Sequence, residues 1–410
     1  MTLLLIYPIF FALIYWKSKK TFTTSTYKYI LLFFLIGAVS ACIIRFNPNL
    51  VYSSMPLSFV AIIYHCLTLC LIIKPFSRFE RYKFEDFGKH NSVIIYSLIG
   101  VIIPISLYYI YLSVSSINLN MILVDVSSMR QQLIENEAET GTLNTYLKAF
   151  SNTFHGMALS IAFYYIIKGT QKKLLIIILI ICSMSQVIHS LNFAAREYII
   201  KYLFVFFMLF SLFNNKISKE WKNLLLKLMI TCGSLGLILF ITVTLFRFTE
   251  SDNYDNPLTS IFAYLGQGFV NFSQRFIDFP YGLFGGSQHF PIFSDSEKVS
   301  VYNLNSVISS DYFLNTFSTS IGSWIVDCGI FWATIITIIY SSLFRVFGKL
   351  KLNIFTLYYL IYAYEFIFSC LFFFNDTIGK LRVETFLFIV LLDIINRQII
   401  KKENYVFKKN

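Results

Sequence analysis

Apolar runs of 13 to 25 residues separated by short polar or basic connectors fill most of the chain; a bilayer crossing takes about 20 mostly apolar residues. The runs are Leu3–Trp16, Tyr29–Ile44, Met55–Ile73, Ser92–Val114, Leu147–Ile167, Leu174–Ser190, Tyr198–Phe213, Leu224–Phe246, Ser323–Phe347, Phe355–Phe374 and Val383–Ile395. The pattern predicts an all-α polytopic membrane protein of about 11 transmembrane helices, forming a single transmembrane domain over residues 1–410.

Two connectors are long. Residues 115–146 are polar, with Glu135, Glu137 and Glu139 in their middle. Residues 247–322 form the largest soluble segment. Inside it, Asn256-Pro257 reads as an N-cap followed by proline at the first helical position. Leu258, Ile261, Phe262, Leu265, Phe269, Phe272 and Phe276 then recur at helical spacing. The stripe predicts an amphipathic helix over 257–278 that lies on the outer leaflet or caps the bundle. Gly266, Gln267, Asn271, Gln274 and Arg275 take its other faces. Pro280, Gly282, Gly285, Gly286 and Pro291 then break regular structure.

Composition agrees. Hydrophobic residues make up 56% and charged residues 14%. Mean hydropathy is +0.65. A soluble globule has nowhere to hide that much apolar surface, and disordered, collagen-like and disulfide-scaffold chains are excluded by the same figures. The net charge of +12 sits largely in alternate short loops: Lys17, Lys19, Lys20 and Lys28; Lys74, Arg78, Arg81, Lys83 and Lys89; Lys168, Lys172 and Lys173; Lys216, Lys219 and Lys222; Arg345, Lys349 and Lys351; and the C-terminal Arg397–Lys409 stretch. Such asymmetry sets membrane orientation and is not a nucleic-acid patch. It predicts an extracytoplasmic N-terminus, a cytoplasmic C-terminus, and outer locations for both long connectors. The first run lacks a basic leader and a small-residue cleavage site, so it reads as an anchor. The seven cysteines fall almost all within apolar runs and read as buried small residues.

Candidate chemistry gathers at the outer edge. Arg196 lies in the short turn Asn192–Glu197, Arg247 closes the eighth run, and Arg275 sits on the polar side of the amphipathic helix. Three guanidinium groups near one membrane level suit bidentate gripping of a diphosphate. Each also has a plainer reading. Arg196 pairs with Glu197 or snorkels; Arg247 is balanced by Glu250 and Asp252; Arg275 pairs with Asp278. His289, after a glycine-rich turn, suits a general base, or is an ordinary loop histidine. His189, two turns before Arg196, can face the same cavity. Aromatic residues of the large loop, Tyr281 among them, suit stacking on sugar faces or an interfacial belt. No metal-spaced His or Asp pair, phosphate-binding glycine loop, dinucleotide fingerprint or nucleophile elbow occurs, so neither metal nor cofactor is expected.

Three stretches resemble the bacterial oligosaccharide repeat-unit polymerases (O-antigen polymerases, Wzy-type), which share an architecture with the O-antigen ligases. These are Ala194-Ala195-Arg196-Glu197, Tyr264–Phe272, and Asn315-Thr316-Phe317 through Asp327-Cys328-Gly329. The resemblance implies a multi-pass enzyme of the bacterial inner membrane. It would join lipid-linked repeat units by glycosyl transfer from undecaprenyl diphosphate on the outer face, for O-antigen or for capsular or exopolysaccharide. Arg196, Arg247, Arg275 and His289 would be catalytic, and Glu197, His189, Tyr281 and Asp327 substrate-binding. Membrane lipid, the lipid-linked oligosaccharide and a polysaccharide chain-length regulator are the partners it implies.

Two rival readings stay open. An O-antigen ligase takes the same donor to a different acceptor. A lipid-linked oligosaccharide flippase or other transporter predicts polar residues along the middle of the bundle, where this sequence offers Glu365, Asp393 and Lys227, and has no use for the large outer loop.

Overall fold

In the computed structural model, residues 2–20, 25–46, 56–81, 87–88, 91–115, 142–191, 197–249, 257–276, 286, 319–372 and 381–409 are described. Among them the chain is all-helical, without a β-strand. Thirteen α-helices appear in the described residues: α1 (Ile6–Lys20), α2 (Ser25–Phe46), α3 (Phe59–Ile73), α4 (Ser92–Ser115), α5 (Thr142–Lys168), α6 (Lys173–Ser183), α7 (Ser185–Leu191), α8 (Glu197–Phe213), α9 (Lys219–Thr249), α10 (Pro257–Arg275), α11 (Thr319–Phe347), α12 (Ile354–Phe372) and α13 (Leu381–Lys409).

Among the described residues, five stretches are long and apolar enough to cross a membrane: Ser25–Phe46, Phe59–Phe79, Ser92–Ser115, Thr319–Phe347 and Ile354–Leu371. The pair α6 and α7, bent by 42°, adds a sixth if it is one broken span. These are the helices of a multi-pass membrane protein. Helices α1 and α8 have 15 and 17 residues. At about 1.5 Å per residue they are shorter than a hydrocarbon core of about 30 Å.

Local chemistry sets the helix ends. Ser58 caps α3, its hydroxyl accepting from the Ala61 N–H at 3.2 Å. Asn91 caps α4, its side-chain oxygen accepting from the Val93 N–H at 2.9 Å. Asn353 caps α12, accepting from the Thr356 N–H at 2.7 Å. Each side chain satisfies a backbone donor that the first turn leaves orphaned, which matters more in lipid than in water.

The sequence predicts one transmembrane domain; the chain divides into two compact units. The first holds residues Met1–Tyr82, Glu250–Lys349 and Glu365–Glu384. The second holds Lys83–Thr249, Leu350–Tyr364 and Thr385–Asn410.

In the first unit, α10 runs from Pro257 as expected and ends at Arg275. It is not a helix with one wet face. Phe269, Val270, Asn271, Phe272, Ser273 and Gln274 are all buried. Its partners are Tyr7 and Phe11 of α1, Phe34 of α2 and His65 of α3, whose rings lie 4.1 to 6.4 Å from the rings of Phe269 or Phe272. Tyr7 and Phe11 fall in the N-terminal half of α1, Gly37 and Ala41 in the C-terminal half of α2, and Ser58 and His65 at the N-terminal half of α3. The C-terminal half of α10 therefore packs among α1, α2 and α3. A glycine makes it fit: a Cβ on Gly266 would run into the backbone of Ser40 and Ala41. Small residues at a helix crossing are the usual means of close approach where lipid removes the hydrophobic drive.

The second unit is built on α5, whose Met157–Ile167 stretch is buried residue after residue. Ser151 of α5 donates to Ser185 at 2.7 Å. The Asn91 N–H donates to Asn396 of α13 at 2.7 Å. Asp393 of α13 accepts from Tyr359 at 3.0 Å and takes both Nε and Nη2 of Arg397, at 3.1 and 2.7 Å.

Candidate functional site

Helix α6 ends at Ser183 because its side chain competes with the helix. The Ser183 hydroxyl donates to the Ile180 carbonyl at 2.6 Å and lies 2.8 Å from the Tyr202 hydroxyl of α8. Met184 then leaves helical geometry (φ −87°, ψ 1°). Serine back-bonding of this kind bends helices. The 42° bend carries α7 against α4. There the His189 ring sits 5.1 Å from the Tyr109 ring, with Nδ1 3.4 Å from Ser113 Oγ.

Residues 192–196 connect α7 to α8, and Glu197 opens α8. A carboxylate in the first turn suits the positive end of the helix dipole. One turn on, Lys201 Nζ lies 4.0 Å from Glu197 Oε1; the lysine side chain is 3% exposed against 21% for the glutamate. Lys201 Nζ also sits 4.6 Å from the centre of the Tyr198 ring, a cation–π distance. One end of the second unit therefore holds an imidazole, a carboxylate, an ammonium and several hydroxyls, flanking the predicted arginine turn.

Asp327 belongs to the first unit. It lies just before a break in α11, where Gly329 takes φ 84° and ψ 165°, a region only glycine enters freely. The Asp327 carboxyl is 1% exposed. Its Oδ1 and its main-chain oxygen both accept from the Gly286 N–H, each at 3.2 Å. Gly286 has φ +93°, so the Asp-x-Gly stretch marks both a helix break and a docking point for the large loop. The predicted substrate-binding carboxylate holds loop backbone.

Arg196, Tyr281 and His289 lie outside the described residues. So do the side chains of Arg247 and Arg275, whose backbones sit in the last turns of α9 and α10. His189 and Glu197 are in the second unit, at the two ends of the turn that contains Arg196. Among the described residues no group of three or more His, Cys, Asp or Glu gathers in a way that holds a metal.

Two residues escaped the sequence reading. Lys201 was hidden in a run counted as apolar; the signal was Glu197-Tyr198-Ile199-Ile200-Lys201, an acid and a base four apart on one face. Arg45, in the last turn of α2, is only 8% exposed. It stands at the helix end opposite Lys28, where the helix dipole favours a cation.

No protein family, curated protein or solved structure matches the chain.

Proposed function

We propose that this protein polymerises lipid-linked oligosaccharide repeat units at the outer face of the bacterial inner membrane. In this reading the chain crosses about eleven times, with Arg196 and the end of α10 on the extracytoplasmic side. The growing glycan is carried by undecaprenyl diphosphate. An acceptor hydroxyl of the next repeat unit attacks the anomeric carbon; the bond from that carbon to the diphosphate oxygen breaks as the new glycosidic bond forms. The hydroxyl proton passes to a base, for which His289 and His189 are the candidates. The lipid diphosphate leaves with the bonding electrons. Fixed guanidinium groups stabilise the charge growing on it without metal or ATP.

One observation carries the choice of an enzyme over a transporter. The ionisable side chains His189, Glu197 and Lys201 lie on the helices on either side of the turn that carries the predicted arginine. Of the two carboxylates that the transporter reading leans on, Asp393 is held by Arg397 and Tyr359, while Glu365 is buried within α12. Charge inside a membrane is costly, so its placement marks function; here that placement supports an edge site.

Reconstitution in proteoliposomes with a synthetic polyprenyl-diphosphate repeat unit tests the reading. The expected product is a ladder of glycans. Movement of the intact lipid-linked unit across the bilayer, with no ladder, overturns it in favour of the flippase. Transfer of a single glycan to a lipid A-core acceptor, with no ladder, overturns it in favour of the ligase.

A further inference from the structure

Four buried side chains of the first unit form one continuous hydrogen-bonded chain. Thr319 Oγ1, at the start of α11, lies 3.4 Å from His65 Nε2. His65 Nδ1 lies 3.0 Å from the Tyr7 hydroxyl. The Tyr7 hydroxyl lies 3.0 Å from Ser273 Oγ. Ser273 Oγ donates to the Phe269 carbonyl within α10 at 2.8 Å. All four residues have no measurable exposure.

The last bond fixes the direction of the rest. Each hydroxyl has one proton. Ser273 spends its proton on the Phe269 carbonyl, so it must accept from Tyr7. Tyr7 has then spent its own proton and must accept from His65 Nδ1–H. With a neutral ring, Nε2 is left as a lone pair that accepts from Thr319. One arrangement satisfies every contact: Thr319 to His65 to Tyr7 to Ser273 to the α10 backbone. The chain ends on a helix carbonyl and touches no solvent, so it is no route for a proton. It is an orientation lock, and polarised hydrogen bonds in series strengthen one another.

What it locks is specific. Ser273 precedes, and Thr319 follows, the large outer segment 277–318. The lock thus joins the two roots of that segment through α1 and α3. The roots are held by more than the side chains. The Ser58 N–H donates to the Ser273 carbonyl at 2.9 Å. The His65 ring stacks on Phe272 with centroids 4.1 Å apart. Thr319 is held at φ 70°, a strained setting for a β-branched residue that persists only where its surroundings over-determine it.

We infer that Tyr7 and His65 are positioning residues for the end of α10: their hydrogen-bond chain ties Ser273, two residues before Arg275, to Thr319 at the start of α11. This rests on the polymerase reading, since it is that reading which gives Arg275 a reaction to serve.

The test uses full-length protein in proteoliposomes with the synthetic repeat unit. Tyr7→Phe and Thr319→Val each delete one hydroxyl at nearly constant shape. Each should lower kcat about tenfold, the size of one broken link of about 1.4 kcal/mol, with KM unchanged. Thr319→Ser, which keeps the hydroxyl, should restore the rate. Because both deletions cut the same chain, the double variant should fall no further than either single one. Tyr64→Phe is the control: it removes a hydrogen bond of the same length, to Thr334 at 3.0 Å, outside the chain, and should keep the wild-type kcat. Should Tyr7→Phe fail to fold, Ser273→Ala cuts the neighbouring link and carries the same expectation. Wild-type kcat in both deletions overturns the inference, as do losses that multiply in the double variant. A wild-type protein that forms no ladder fails the polymerase reading itself, which is a separate result.

Discussion

Lys201 is sealed within α8 with its ammonium 4.0 Å from the Glu197 carboxylate, whose own side chain remains partly open. The pair is lopsided: the cation is buried and the anion is partly exposed. Replacing a whole buried ion pair by apolar chains is often neutral or stabilising, whereas removing one partner leaves the other charge uncompensated. Lys201→Met leaves the partly exposed Glu197 unpaired and should lose stability, but less than a fully buried pair would, while its polymerisation rate falls about tenfold or more because the local positive field is gone. Glu197→Gln should lower the unfolding free energy by about 1–2 kcal/mol, discounted for the partial exposure of the acid. Thermal unfolding in detergent alongside ladder formation checks both. Unchanged polymer in Lys201→Met would take the residue out of the site.

Arg196 is the sharpest test of leaving-group stabilisation. Arg196→Ala should abolish polymer and leave single repeat units visible on a gel of surface glycan. Loss of one preorganised donor costs about 10²–10³ in rate, and Lys should rescue only part of it, since an ammonium lacks the bidentate fork. A normal ladder at matched protein level would remove Arg196 from the mechanism.

The crossing of α10 over α2 should be less tolerant at one glycine than at another. On Gly266 a Cβ meets backbone, which cannot move aside. Gly266→Ala should cost about 3 kcal/mol, at the upper end for overpacking. On Gly37 the nearest atom is the edge of the Phe269 ring, at 2.8 Å. That ring is buried among those of Tyr7, Phe11 and Phe34, and the Leu265 carbonyl oxygen lies 3.3 Å from the same point, so Gly37→Ala should cost about 2 kcal/mol, less than a clash with backbone alone. Midpoints of thermal unfolding for the two variants test the ranking; equal losses would contradict the crossing.

At the α11 break, Gly329→Ala forces a side chain into a backbone region that only glycine occupies without strain. The expected cost is about 1–3 kcal/mol. Because Asp327 and its grip on Gly286 sit two residues away, protease nicking near Gly286 should speed up at the same time. Unaltered nicking together with unaltered stability would argue that the break is not held as described.

Asp393 separates the enzyme from the transporter. Asp393→Asn weakens the two-pronged bond to Arg397 and should lower stability by about 2 kcal/mol, the range for hydrogen bonds to charged groups. Polymerisation per folded molecule should hold. Loss of activity at full stability would instead assign Asp393 a role in moving protons or substrate.

Much of the helical layout was legible because apolar runs and their capping residues act locally. Pro257 marks a helix start in the sequence and in the structure alike, and the apolar run that opens at Ser92 begins where α4 does. The bend at Met184 was not legible, since most serines in apolar helices leave the helix unbroken and the Tyr202 hydroxyl that also meets Ser183 lies nineteen residues away. Nor was the burial of α10: a stripe of phenylalanines reads the same whether the opposite face meets water or a glycine-lined groove. Lys201 escaped because one lysine does little to the average of an apolar window. Asp327 was found by its motif, but which group its carboxylate would hold depends on where residue 286 returns in space. Of the arginines that define the proposed site, the sequence supplies the argument and the described residues supply the helices that precede and follow Arg196 in the chain.

The interleaving of the two units has a consequence for biosynthesis. The first 82 residues leave the ribosome long before their companions at 250–349, with all of Lys83–Thr249 made in between. Tyr7 and His65 can pair with each other in the nascent chain, but the Tyr7 proton and His65 Nε2 must wait until Ser273 and Thr319 are translated. Maturation of the first unit is therefore a late event, and a ribosome stalled ahead of α11 would release a product that quality-control proteases should recognise by those unmatched polar groups.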